Sequence, residues 1–164
     1  MPPIARIGWT FLLLGLTVQA LVGFSIALAL DTPLWSWHQD RVGISLWGEA
    51  EYAKETRRYR AWAMAVIGGT IASWAVALLW VVAVPLRGGE RWAWWAVATS
   101  TLAWFSIDTS LSALHGIGIN VLFNLGALAM IGLPLAMTWS WANAGISPPG
   151  PARGGDGRGG SARS

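Results

Sequence analysis

The sequence predicts an all-α protein: a four-helix transmembrane bundle with an interfacial helix in its first loop. Three observations predict it: apolar blocks of membrane-crossing length, tryptophans gathered at their edges, and a shortage of charge. Of the 164 residues, 12% are charged and 54% hydrophobic, whereas a soluble domain averages about 25% charged. So few charges cannot clothe a water-soluble globule, and so apolar a chain is not disordered. The absence of Cys removes disulfides, thiolate metal sites and thiol catalysis. The net charge of +3 does not signal nucleic acid, because the basic side chains lie in loops between apolar blocks, where they meet headgroups or water.

The first block runs from about Ile7 to Leu30 and is closed by Asp31-Thr32-Pro33. It is long enough to span a hydrocarbon core of about 30 Å with some tilt. Ala27-Leu28-Ala29 resembles a signal-peptide cleavage site, but the run exceeds a signal core of about 7–15 residues. It therefore reads as a retained helix. Residues 31–60 are the one long connection, with five basic and five acidic side chains. Trp35, Trp37 and Trp47 place this connection at headgroup level, where an indole is both apolar and wet. Leu46 to Arg60 reads as a helix lying on the membrane or as a protruding start of the second crossing.

The second crossing extends from about Ala61 to Leu86, with Ala61, Ala65, Gly68, Ala72 and Ala75 at helical spacing. Such stripes let helix backbones approach closely in lipid, so this helix is expected to be the packing spine. Arg87-Gly88-Gly89-Glu90-Arg91 links it to the third, about Trp92 to Leu114, which opens on the anchors Trp92, Trp94 and Trp95. A short turn at His115–Ile119 leads to the fourth, about Asn120 to Trp141. Residues 1–142 thus read as one bundle. Residues 143–164, mostly Gly, Pro, Ser, Ala and Arg, read as a disordered tail that cannot bury enough apolar area to fold.

Four crossings put both ends on one side together with the 87–91 link. That side carries six arginines and the other five basic residues. The link is short and its arginines flank two spans directly, which favours both termini in the cytoplasm.

The informative residues are the polar ones inside apolar blocks. Thr101, Asp108, Ser112 and His115 fall in one angular sector of the third helix, and Asn120, Asn124 and Thr138 share a face of the fourth. The short turn makes the two helices an antiparallel hairpin, so these faces meet. An ionised carboxylate at mid-span costs about 2.5–3.5 kcal/mol on insertion scales, so Asp108 should face the bundle or water. Gly8, Gly15, Gln19 and Gly23 align on the first helix, a small-residue seam with one amide near mid-span. The candidate binding cluster is therefore Asp108, Ser112, His115, Asn120, Asn124 and Gln19. Its functional reading is a proton acceptor or cation partner with orienting amides; its structural reading is an interhelical staple.

His38 and His115 are the candidate haem ligands, since helix bundles carry such pairs; no other metal site and no resident cofactor is expected. No G-x-S-x-G, H-E-x-x-H or P-loop pattern occurs. The tryptophan excess reads as a double interfacial belt, with Trp74 and Trp104 deep.

The string Gly89-Glu90-Arg91-Trp92-Ala93-Trp94-Trp95, then Trp104, Asp108-Thr109, Ser112, Gly116, Asn120, Asn124, Pro134-Leu135 and Thr138, resembles a group of small uncharacterised bacterial four-span integral membrane proteins. The resemblance covers roughly the second half and implies a multi-pass protein of the bacterial cytoplasmic membrane, with no catalytic residue to carry over. The expected function is a non-enzymatic accessory subunit or small-ligand-binding membrane module, with the lipid bilayer and other membrane subunits as partners. The alternative is a small transporter or proton-coupled component using Asp108. A third reading is a haem-binding or lipid-modifying membrane enzyme.

Overall fold

The computed structural model describes residues 1–48 and 54–144. Their helices are α1 (Pro3–Ala29), α2 (Pro33–Trp47), α3 (Lys54–Val81), α4 (Arg91–Leu114), α5 (Gly118–Met137) and the short α6 (Trp139–Asn143). Between α3 and α4 lies a π-helical turn, Val82–Leu86. Three stretches are long and apolar enough to cross a membrane: Pro3–Ala29, Thr56–Leu86 and Gly118–Met137. The chain is thus a helical, membrane-embedded protein. The helix α4, expected as the third crossing, has 24 residues but is too polar to join these three.

The outward faces carry the large apolar side chains, as in a protein whose solvent is lipid. Leu28 is 84% exposed, Trp80 69%, Leu133 69% and Ile107 64%. The interior is lined by small residues, because in lipid close backbone approach replaces hydrophobic expulsion as the packing force. The central helix is α1, which touches both α3 and α5. Its glycine seam faces inward as expected, with Gly8, Gly15, Gln19 and Gly23 all buried. The closest approach is to α3: a Cβ on Gly23 would lie 2.5 Å from the Ala72 nitrogen, and one on Gly68 2.5 Å from the Ala27 nitrogen. Of the expected stripe on α3, Gly68, Ala72 and Ala75 are buried and Ala61 and Ala65 partly so. The spine is therefore shared between α1 and α3.

Two boundaries differ from expectation. The surface helix of the first connection is α2, earlier than Leu46–Arg60: Pro33 starts it, since a proline ring is pre-set for a first turn. Gly48 ends it in the left-handed conformation (φ 75°) with its N–H on the Ile44 carbonyl. From Lys54 onward the expected segment is the start of α3, and residues 49–53 lie outside the described residues. The last crossing is also not one helix to Trp141. Pro134 deprives α5 of one backbone donor, and α5 ends at Met137 before α6 begins at Trp139. The helical end at Asn143 falls within the stretch expected as tail; the rest of the tail, from residue 145, lies outside the described residues.

Tryptophans hydrogen-bond the backbone beside both proline sites. Pro85 cannot donate to the carbonyl one turn back, and the chain widens there into the π-helical turn. The indole N–H of Trp9 donates to the Val82 carbonyl at 2.8 Å, and the Arg87 guanidinium lies 5.3 Å from the Trp9 ring centre. At the second site the indole of Trp94 donates to the Leu135 carbonyl at 2.9 Å, which also accepts the Thr138 hydroxyl at 2.7 Å. The interfacial-belt reading of tryptophan is therefore too narrow. Trp9 and Trp94 are internal donors as well as anchors.

Candidate functional site

The interior divides into two tiers. Leu12, Leu16, Leu78, Val82, Leu86, Val97 and Ile131 form an apolar core in the half nearest the π-helical turn. Moving toward the other end, the next inward residues are polar on three helices. Gln19 follows Leu16 on α1, Thr101 follows Val97 on α4, and Asn124 stands two turns from Ile131 on α5. All three are buried, at 8%, 2% and 4% exposure. Helical periodicity requires this stacking, since each lies a near-whole number of turns from a core residue on its own helix.

Side-chain hydrogen bonds pin α4 to α5 in this polar tier. Asn120 Nδ2 donates to Asp108 Oδ1 at 2.8 Å and lies 2.7 Å from Ser112 Oγ; Ser112 Oγ in turn donates to Asp108 Oδ1 at 3.2 Å. One turn deeper, Asn124 Nδ2 donates to Thr109 Oγ1 at 3.1 Å. With the Trp94–Leu135 bond at the opposite end, these contacts define an antiparallel hairpin.

Of the six candidates, Asp108, Ser112 and Asn120 form one network and Asn124 joins the same helix pair through Thr109. His115 and Gln19 do not join them. His115 is exposed at the end of α4 with Nδ1 2.8 Å from the Leu111 carbonyl oxygen, because α4 stops at Leu114 and leaves it on the turn. Gln19 is carried by α1, and no hydrogen bond reaches its amide among the described residues. Sequence reasoning passed over Thr109, whose only signal is its place beside Asp108. It also left out Thr101, whose hydroxyl is buried with no partner.

Both bonds to Asp108 fall on Oδ1, and Oδ2 accepts none among the described residues. The carboxylate is half-buried. No Lys or Arg occurs in 7–30, 61–86 or 92–141, so no basic residue of the apolar blocks offsets its charge. One turn below it, on the same face of α4, the Trp104 ring lies 5.9 Å from that of Trp74 at 35°. This pair bridges α4 to α3, which otherwise barely touch. The arrangement offers acceptors and indole faces around a single negative charge, and it holds no paired acid and base. No group of three His, Asp or Glu side chains is placed to hold a metal ion among the described residues.

His38 lies on α2, half-buried among aromatic rings: Phe123 of α5 at 5.6 Å, Trp35 at 6.0 Å and Trp37 at 6.1 Å. Burial lowers its pKa below the ordinary 6.5. The charged groups nearest in sequence are Asp31, Asp40 and Arg41, and α5 carries no titratable side chain. The undocked state of α2 therefore binds the proton more readily than the docked state. The docking contribution is complete above pH 6.5 and is lost as pH falls through the lowered value. Protection of α2 amides, measured relative to their intrinsic exchange rate at each pH, should fall on acidification below pH 6.5. His38→Phe should remove that pH dependence while keeping α2 docked.

No protein-family model, no curated protein and no solved structure matches this chain.

Proposed function

We propose that this protein is a four-crossing, non-enzymatic membrane module that binds a small ligand in the polar tier of its bundle. The observation that carries this reading is Thr101, whose hydroxyl is fully buried without a hydrogen-bond partner among the described residues, in a tier that also holds the Gln19 amide. A buried unsatisfied polar group costs about 1–3 kcal/mol. A ligand that supplies the missing partner accounts for keeping such a group in the tier.

The fourth crossing is α4. Its bonds to α5 at Trp94–Leu135 and Thr109–Asn124 hold it alongside a candidate span for about 22 Å at 1.5 Å per residue. The arginines of the 87–91 link support cytoplasmic termini. The outward apolar faces leave room for a partner subunit.

The reading is tested by Gln19→Leu with Thr101→Val. Removing the unsatisfied Thr101 hydroxyl should raise thermal stability in detergent by about 1 kcal/mol. Native mass spectrometry of protein extracted from its own membranes should show a bound small molecule in the wild type and none in the double variant. A destabilised variant, or identical spectra, would count against the site. A second reading, proton or cation coupling, is favoured by the unpartnered Oδ2 of Asp108. Under it, Asp108→Asn abolishes a pH-driven flux in vesicles; under the first reading alone, no such flux exists to lose.

A further inference from the structure

Resting on that binding reading, we infer that the ligand is a lipophilic organic cation, an ammonium-type group carrying apolar substituents, held between Asp108 and the Trp74–Trp104 indole pair. The ligand's charge follows from what the tier contains and what it lacks. Among the described residues Asp108 is its only charged side chain, and its Oδ2 accepts no hydrogen bond from any of them. The groups on Oδ1, Ser112 and Asn120, are neutral, and the apolar blocks hold no Lys or Arg. An ionised carboxylate attracts a cation, and no Lys or Arg of the apolar blocks competes for it. An anionic ligand would face the same carboxylate with nothing to offset it.

The apolar substituents follow from the walls. Trp104 precedes Asp108 by one helical turn on the same face, and its ring lies 5.9 Å from Trp74. Indole faces attract a cation within about 6 Å of the ring centre and shed water as they do so. Below them the core of Leu16, Val97 and Ile131 meets the apolar part of such a molecule. The Gln19 amide and Thr101 hydroxyl supply acceptors at the boundary between the two. A hard metal ion is a poorer fit, since it takes about six or more oxygen ligands and no three-ligand group is in place among the described residues. Entry is lateral. Beyond the π-helical turn and the Trp74–Trp104 contact, the α3 and α4 backbones seldom come close, and this is the seam by which a lipophilic cation would enter from the acyl chains.

Tetraphenylphosphonium is the probe, titrated calorimetrically into the full chain in detergent micelles, with neutral triphenylphosphine oxide as its uncharged counterpart. The wild type should bind the phosphonium saturably and the oxide at least about tenfold more weakly, the factor that about 1.4 kcal/mol represents. Asp108→Asn should lower phosphonium affinity about tenfold or more, while keeping an oxygen for Ser112 and Asn120 and hence the fold. Trp104→Leu should weaken binding by a similar factor. Trp80→Leu, on the exposed face of α3, should leave it unchanged. Equal phosphonium binding by wild type and Asp108→Asn, with both monodisperse, overturns the cation assignment. So does wild-type preference for the neutral oxide. If no phosphonium binds but native spectra still show a molecule lost in the Gln19→Leu, Thr101→Val variant, the cation assignment fails and the binding reading stands. If neither is seen, both fail.

Discussion

Gly23→Val separates α1 from α3. Even the Cβ would lie 2.5 Å from the Ala72 nitrogen and 2.8 Å from the Gly68 oxygen. Those atoms are backbone and cannot rotate away, so the helices must move apart along the stretch where they pack most closely. Overpacking a core typically costs about 1–3 kcal/mol, and a clash with helical backbone belongs at or above the top of that range. The expected result is loss of a monodisperse, thermally cooperative species in detergent. Gly68→Val should do the same, because its Cβ would meet Ala27 at 2.5 Å. The adjacent Gly69 has nothing within 4 Å. Gly69→Ala should be neutral or slightly stabilising, since alanine is the better helix former by about 1 kcal/mol. A three-way comparison by thermal melting with size-exclusion chromatography checks the prediction.

Trp9→Phe destabilises the bundle by about 0.5–1.5 kcal/mol, the net worth of the one interhelical hydrogen bond it removes. The indole N–H is what answers the Val82 carbonyl beside the proline-widened turn, and phenylalanine keeps the ring while removing that donor. Trp94→Phe should cost less. The Leu135 carbonyl it serves keeps a second donor in the Thr138 hydroxyl. Pro85→Ala in the Trp9→Phe background should recover part of the loss, because the restored backbone N–H lets the ordinary helical ladder re-form. Thermal melts of the single variants and the Pro85→Ala, Trp9→Phe double variant decide the matter.

Much of the architecture could be read from residue pattern. Apolar run length marks α1, α3 and α5, and glycine spacing alone marks the buried seam of α1. The Asp108–Asn120 contact follows from helical angles and a short turn, because an antiparallel hairpin leaves few other places for those side chains. Other features were not legible because they depend on which helices become neighbours. The helix α2 opens on Pro33 and carries polar and aromatic residues without strong periodicity, so only its caps mark it. The role of Trp9 depends on Val82, far away in sequence, and no local signal connects an indole to a carbonyl of a π-helical turn. Thr101 shares a sector with Asp108, yet whether its hydroxyl is satisfied depends on α1 and α3. His115 misleads for the opposite reason: it lies in the right sector but one residue past the helix end.

The helix α4 carries the central claim, since it is long enough to cross a membrane but less apolar than the other spans, and the polar tier exists only if it crosses with that face inward. The absence of native cysteine allows single cysteines to be placed and spin-labelled in lipid vesicles. Collision rates with oxygen, which concentrates in acyl chains, and with a water-soluble nickel chelate then report depth and facing. Labels at Leu102, Ile107 and Leu111, all exposed, should show high oxygen and low chelate collision. Labels at Thr101 and Ser112 should show low collision with oxygen. High chelate collision along the outward positions, or oxygen maxima at 101 and 112, would mean that α4 lies on the surface or faces the other way, and the polar tier would not be an interior.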